Sequence, residues 1–160
     1  MTSDQDKNRF MQEAVRLSQE MMEDGKGGPF GAIIVKDGKI IGRGSNQVTS
    51  TNDPTAHAEV VAIREACRHE SSFSLEGAEI YTSCEPCPMC LSAIYWARLD
   101  AVYFANNRHE AAAIGFDDAH IYSEIAKELD RREIPMVNLD LPEAKEAFQA
   151  WAEKDDKTPY

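Results

Sequence analysis

No stretch of this chain is long and apolar enough to span a bilayer, and the polar run Met1–Arg9 leads into no apolar leader. Both absences give the expectation of a cytoplasmic protein with no membrane partner. Positive charge is scarce: 17 lysines and arginines stand against 28 aspartates and glutamates, a formal net charge of −11. That balance repels a phosphate backbone, so no nucleic-acid partner is expected, whereas a small neutral molecule meets no such barrier. Cysteine is limited to four residues, three of them between positions 84 and 90. Such clustering suits metal chemistry in a reducing compartment and not a disulfide framework. Repeats, linkers and low-complexity tracts are missing as well. What remains is a 160-residue chain, 42% hydrophobic, read as a single domain over 1–160 able to bury a core.

Apolar residues Phe10, Ala14, Leu17 and Met21 recur at helical spacing, which predicts an amphipathic helix over Lys7–Asp24, ended by Gly25, Gly27, Gly28 and Pro29. Two apolar runs, Phe30–Val35 and Lys39–Gly44, flank Asp37-Gly38, a strong hairpin signal. Thr49–Pro54 reads as a polar loop and His57–Arg68 as a helix. Ala78–Ser83 reads as a strand, Pro88–Arg98 as a helix opened by proline, and Ala101–Ala105 as another strand. Tyr122–Arg132, Ile134–Leu139 and Glu143–Lys154 suggest helix, strand and helix. Strands alternating with helices imply a three-layer α/β/α fold around a central mixed β-sheet.

The chemistry concentrates in two blocks, His57-Ala58-Glu59 and Pro86-Cys87-Pro88-Met89-Cys90. One imidazole and two thiolates supply three bonds to a tetrahedral zinc ion and leave the fourth position for water. Zinc lowers the pKa of that water to about 7, and Glu59, itself not a ligand, is placed to carry a proton from water to substrate. Cys87 and Cys90 share a face at the start of a helix, where the helix N-terminus favours thiolates. His57 and Glu59, two apart, converge only if His57 lies at the helix entrance. A closed structural site with Cys84 as fourth ligand and an iron–sulfur site on Cys84, Cys87 and Cys90 are the competing readings. Neither accounts for Glu59. A non-catalytic zinc-stabilised module is the corresponding alternative at the level of function.

Three blocks, Gly27-Gly28-Pro29-Phe30-Gly31-Ala32, Asn52–Glu59 and Thr82–Cys90, resemble the cytidine deaminase-like superfamily of zinc deaminases. Ile94-Tyr95-Trp96-Ala97, Gly115-Phe116-Asp117-Asp118 and the terminal Tyr160 narrow the resemblance to its guanine deaminases. It implies hydrolysis of guanine to xanthine and ammonia in purine catabolism, with guanosine or another nucleoside or nucleobase as the alternative substrate. It also implies one zinc per subunit on His57, Cys87 and Cys90, with Glu59 as proton shuttle. Asp118 would recognise the amino edge of the base and assist proton transfer. Phe30, Asn46 and Ala58 would contact the base. Finally it implies a homodimer in which residues of about 140–160 cross to the partner, with Tyr160 closing the partner's site. Read from the residues alone, Phe30 is as well a core residue, Asn46 a turn residue, Asp118 a helix cap and Tyr160 the end of a polar tail.

Overall fold

A computed structural model describes residues 2–160. Ser3 opens the first helix, α1 (Asp4–Glu23), its hydroxyl accepting the Asp6 N–H, and Phe10, Ala14 and Leu17 form the buried face. Asp37 (φ 50°) and Gly38 (φ 73°) make the two-residue turn between β1 (Gly31–Lys36) and β2 (Lys39–Ser45), a conformation that suits hairpins because its twist matches the strands. The four-stranded sheet has the order β2-β1-β3-β4. Strand β1 lies antiparallel to β2 and to β3 (Ala78–Cys84), and β4 (Ala101–Asn106) runs parallel to β3. The sheet is mixed, as the alternation of elements implies.

Alternating side chains of β1 serve two cores. Ile33 and Val35 pack with Phe10, Ala14, Leu17 and Tyr81 on the α1 side. Ala32 and Ile34 pack on the other side with Ala58, Ala62 and Ala66 of α3 (Ala58–Glu70) and Ile94 of α4 (Pro88–Trp96). Strand β3 is buried almost throughout, as expected for a strand covered on both faces. Two glycines of β2 set how closely α3 approaches the sheet. A Cβ at Gly44 would sit 2.0 Å from the Ala58 carbonyl oxygen, and one at Gly42 would sit 2.5 Å from that of Ala62. The N-terminus of α3, which carries His57 and Glu59, is thereby held against the strand ends.

Local differences from the sequence expectation have local causes. Part of the expected loop Thr49–Pro54 is a one-turn helix, α2 (Val48–Thr51), closed by Asn52 in the left-handed conformation. A helix not anticipated, α5 (Arg108–Ala113), is nucleated by a capping box. There Asn107 accepts the Glu110 N–H, and the Glu110 carboxylate accepts the Asn107 N–H.

The chain divides into one compact unit running to Ile121 and a second, Tyr122–Tyr160. The expected helix Tyr122–Arg132 is instead α6 (Ala119–Ile125) followed by a 3-10 turn, Leu129–Arg131. The expected strand Ile134–Leu139 is not a strand. Pro135 removes a ladder donor, the described residues pair no strand with it, and Ile134, Val137 and Leu139 are exposed. The helix expected over Glu143–Lys154 is α7 (Pro142–Glu153), which starts with proline and buries none of its residues. Among the described residues, no helix is long and apolar enough to cross a membrane.

Candidate active site

Two helix N-termini meet at one point. His57 is the N-cap of α3, with extended backbone (φ −72°, ψ 155°), and Cys87 is the N-cap of α4. The non-helical backbone at His57 is what lets His57 and Glu59 face the same centre. His57 Nδ1 lies 3.5 Å from Cys87 Sγ and 3.5 Å from Cys90 Sγ. Ordinary zinc–sulfur and zinc–nitrogen bonds at a tetrahedral angle put ligand atoms about 3.6 Å apart, so the His57 nitrogen stands at zinc spacing from both sulfurs.

The charge balance makes the same point. Contact with Cys90, then with His57, holds the Cys87 thiol well below its ordinary value. Contact with Cys87 and burial push Cys90 far up. One thiolate suppresses its neighbour, and both ionise together only with a cation between them. Cys84 lies outside this cluster: its Sγ faces the Asn107 carbonyl at 3.9 Å, and burial raises its pKa to about 11. The closed Cys84 site and the three-cysteine cluster site are therefore not formed.

Glu59 is buried beside the triad. Its Oε2 lies 3.3 Å from Cys90 Sγ, and its Oε1 accepts the Thr82 hydroxyl at 3.2 Å. Burial lifts its carboxyl above the usual carboxylate range. The triad opens onto a cavity of about 750 Å³ whose walls include Phe30, Asn46, His57, Glu59, Cys87 and Asp118. Asn46 is buried, and its Oδ1 accepts the N–H groups of Val48 (3.1 Å) and Gly28 (3.4 Å). With the carbonyl so occupied, the side chain has only its amino group left to offer. Asp118 is half-buried, and that burial is the first cause of its raised pKa.

Six of the residues singled out in the sequence thus share one cavity, and Cys90 is buried beside His57 and Cys87. Ala58 is fully buried under Gly44 and does not line the cavity. Tyr160 belongs to the second unit and is 74% exposed. Sequence reasoning missed Phe116, which packs edge-on against Phe30 (4.8 Å, 90°), and Met89, Val48 and Ile121, which complete the apolar wall. Phe116 was within reach, because it stands in the Gly-Phe-Asp-Asp block. Val48 and Ile121 carry no signal in a single sequence.

The zinc-binding region of cytidine and deoxycytidylate deaminases matches residues 4–106, and the chain belongs to that family of zinc-binding, hydrolytic deaminases. It is 53% identical over 151 residues to the guanine deaminase of Bacillus subtilis (strain 168), covering 94% of this chain and 97% of that protein. The X-ray structure of guanine deaminase from Bacillus subtilis superposes with a TM-score of 0.93 at 52% identity, covering 96% and 98% of the two chains. Likeness to the tRNA-specific adenosine deaminase of Aquifex aeolicus (strain VF5) is 46% over 99 residues, 62% of this chain and 65% of that one.

Proposed function

We propose that this enzyme hydrolyses guanine to xanthine and ammonia, a step of purine breakdown. The observation that carries the reading is Asp118, a carboxylate on the same cavity as Glu59 and the ligand triad. Guanine presents N1–H and its 2-amino group side by side, both donors, and an ionised carboxylate accepts both. Adenine and cytosine offer an acceptor at the corresponding ring nitrogen and leave the carboxylate unpaired, at a cost of about 1–3 kcal/mol. Likeness to a guanine deaminase over nearly the whole chain supports the same substrate.

His57, Cys87 and Cys90 would hold one zinc per subunit, and a zinc there supplies a water with a pKa near 7. Glu59 takes a proton from the attacking water and delivers it to N3 as the water oxygen bonds to C2. It carries the second proton to the 2-amino nitrogen, the C2–N2 bond breaks, and ammonia leaves with xanthine as the other product. Asn46 donates its amino group to an acceptor of the base, the ring carbonyl being the natural one. Phe30, with Phe116 braced against it, offers a ring for stacking, and Asp118 assists the proton transfers.

The assembly we propose is a cytoplasmic homodimer in which residues of about 140–160 cross over and Tyr160 covers the partner's cavity. Its support is α7, which leaves Phe148 82% exposed and buries no residue, so its apolar face needs another surface. The function is tested by ammonia release from guanine, guanosine, cytosine and adenosine, with zinc measured in parallel. Guanine should be turned over fastest by zinc-loaded enzyme, and a clear preference for any other base overturns the reading.

A further inference from the structure

Thr82 lies on β3, paired with Ala32 of β1 and Phe104 of β4, and is 1% exposed. Its buried neighbour Ser83 spends its hydroxyl oxygen on the Gly31 N–H at 3.0 Å, so the Thr82 hydroxyl calls for a reason of its own. That hydroxyl has two acceptors in reach, Glu59 Oε1 at 3.2 Å and the Cys84 carbonyl at 3.0 Å. The other carboxyl oxygen, Oε2, faces the ligand side, 3.3 Å from Cys90 Sγ. The two oxygens of one buried carboxyl therefore meet different surroundings, one a fixed donor on the sheet, the other the reaction centre.

We infer that Thr82 is a positioning residue for proton transfer, acting through Glu59; the inference rests on the deaminase reading. A carboxyl shuttles productively only when the oxygen that takes up the proton faces the reacting atoms. A hydroxyl donating to Oε1 occupies that oxygen as an acceptor, so the proton taken from water resides on Oε2. The Cys84 carbonyl, at 3.0 Å, is the other acceptor for the same single proton and confines the hydroxyl to this side, and the two adjacent strands fix the Thr82 backbone. Replacing the hydroxyl by a methyl removes the side-chain donor from Oε1. The carboxyl is then free to turn, or to carry its proton on the wrong oxygen. Thr82 is neither a candidate metal ligand nor itself a lining residue of the cavity, so binding of the base should not depend directly on its side chain.

The test compares zinc-loaded parent, Thr82→Val and Thr82→Ser enzymes by steady-state ammonia release, with zinc content and urea midpoint measured on each. The ratios are read on whichever of guanine, guanosine, cytosine or adenosine the parent deaminates fastest. A parent that prefers another base therefore overturns the guanine reading and still decides the Thr82 question. Thr82→Val should lose at least tenfold in kcat with KM within twofold and zinc retained. Thr82→Ser, which keeps the hydroxyl, should stay within threefold of the parent. Parent-like kcat in the valine variant overturns the inference. So does a serine variant as impaired as the valine one, or a loss confined to KM. Loss of zinc or of the fold in the valine variant, with kcat per bound zinc unchanged in the serine variant, also overturns it, by assigning Thr82 a purely structural part.

Discussion

Arg108 grips Glu85 at three points. Its backbone N–H donates to Oε2 at 2.9 Å, while Nε and Nη2 donate to Oε1 at 3.0 and 2.8 Å. Glu85 stands between Cys84 and Pro86 at the entrance to the ligand loop, and its own N–H is held by the Asn106 carbonyl at 2.7 Å. Arg108 opens α5, from which the chain continues to Phe116 and Asp118. The pair therefore fastens the loop bearing Cys87 to the segment bearing the far wall of the cavity.

Removing this charge should show as a pH-dependent loss of stability. The hydrogen bonds from Arg108 hold the Glu85 carboxyl below its ordinary value of 4.5. A folded-state pKa below the unfolded one adds stability that is complete above the ordinary carboxylate range and disappears as pH falls through the lowered value. Glu85→Gln should lower unfolding free energy at pH 7 by about 1 kcal/mol, the modest figure reflecting a partly exposed pair. The gap between parent and variant should close in acid. Urea titrations at several pH values read this directly, and a gap that widens on acidification would contradict it.

Glu59→Gln isolates proton transfer from architecture. The amide keeps the size of the side chain and an oxygen able to accept from Thr82, but it cannot shuttle a proton. We expect kcat to fall by about 10²–10⁴ with bound zinc unchanged. A variant that releases ammonia at the parent rate would remove Glu59 from the mechanism.

How much of this was readable beforehand depends on the range of each interaction. The triad and Glu59 could be read because ligand chemistry dictates spacing, and the hairpin because Asp37-Gly38 satisfies a turn on its own. Even the irregular backbone at His57 followed from the need for His57 and Glu59 to converge. Ile134–Leu139 misled because alternation of apolar residues is only half of a strand; the other half is a neighbouring edge, which local sequence does not encode. The short helix α5 was hidden for the opposite reason, since it depends on the Asn107–Glu110 cap more than on any apolar stripe. The Thr82 hydroxyl and the Glu85–Arg108 grip join positions 23 residues apart, and nothing in a single sequence pairs them.

Gly44 should be intolerant of even one methyl group. Its missing Cβ is 2.0 Å from the Ala58 oxygen and 2.5 Å from the Ala62 nitrogen, both backbone atoms that cannot swing aside. Gly44→Ala must push the first turn of α3 off β2, and His57 and Glu59 move with it. The expected cost is on the order of 1–3 kcal/mol. The urea midpoint should fall and zinc content should drop below that of the parent. Normal stability together with normal zinc would show that the approach of α3 to the strand is not what seats the ligand histidine.

Asp118→Asn separates recognition from chemistry. The asparagine oxygen accepts one guanine donor, but its amino group faces the other donor, so one hydrogen bond is replaced by a repulsion. At about 1–3 kcal/mol, kcat/KM for guanine should fall roughly 10- to 100-fold, while zinc binding and fold stay intact. A pH signature accompanies the change. Burial raises the Asp118 pKa above its ordinary 3.8, so the carboxylate is lost on acidification earlier than a free aspartate would be. In the parent, kcat/KM for guanine should decline as pH drops through that raised value, because a protonated Asp118 no longer accepts both donors. In Asp118→Asn the residual activity should lack this contribution to the acid limb. An acid limb of the same shape and position in both enzymes would mean that another group sets it, and equal kcat/KM for guanine would remove Asp118 from base recognition.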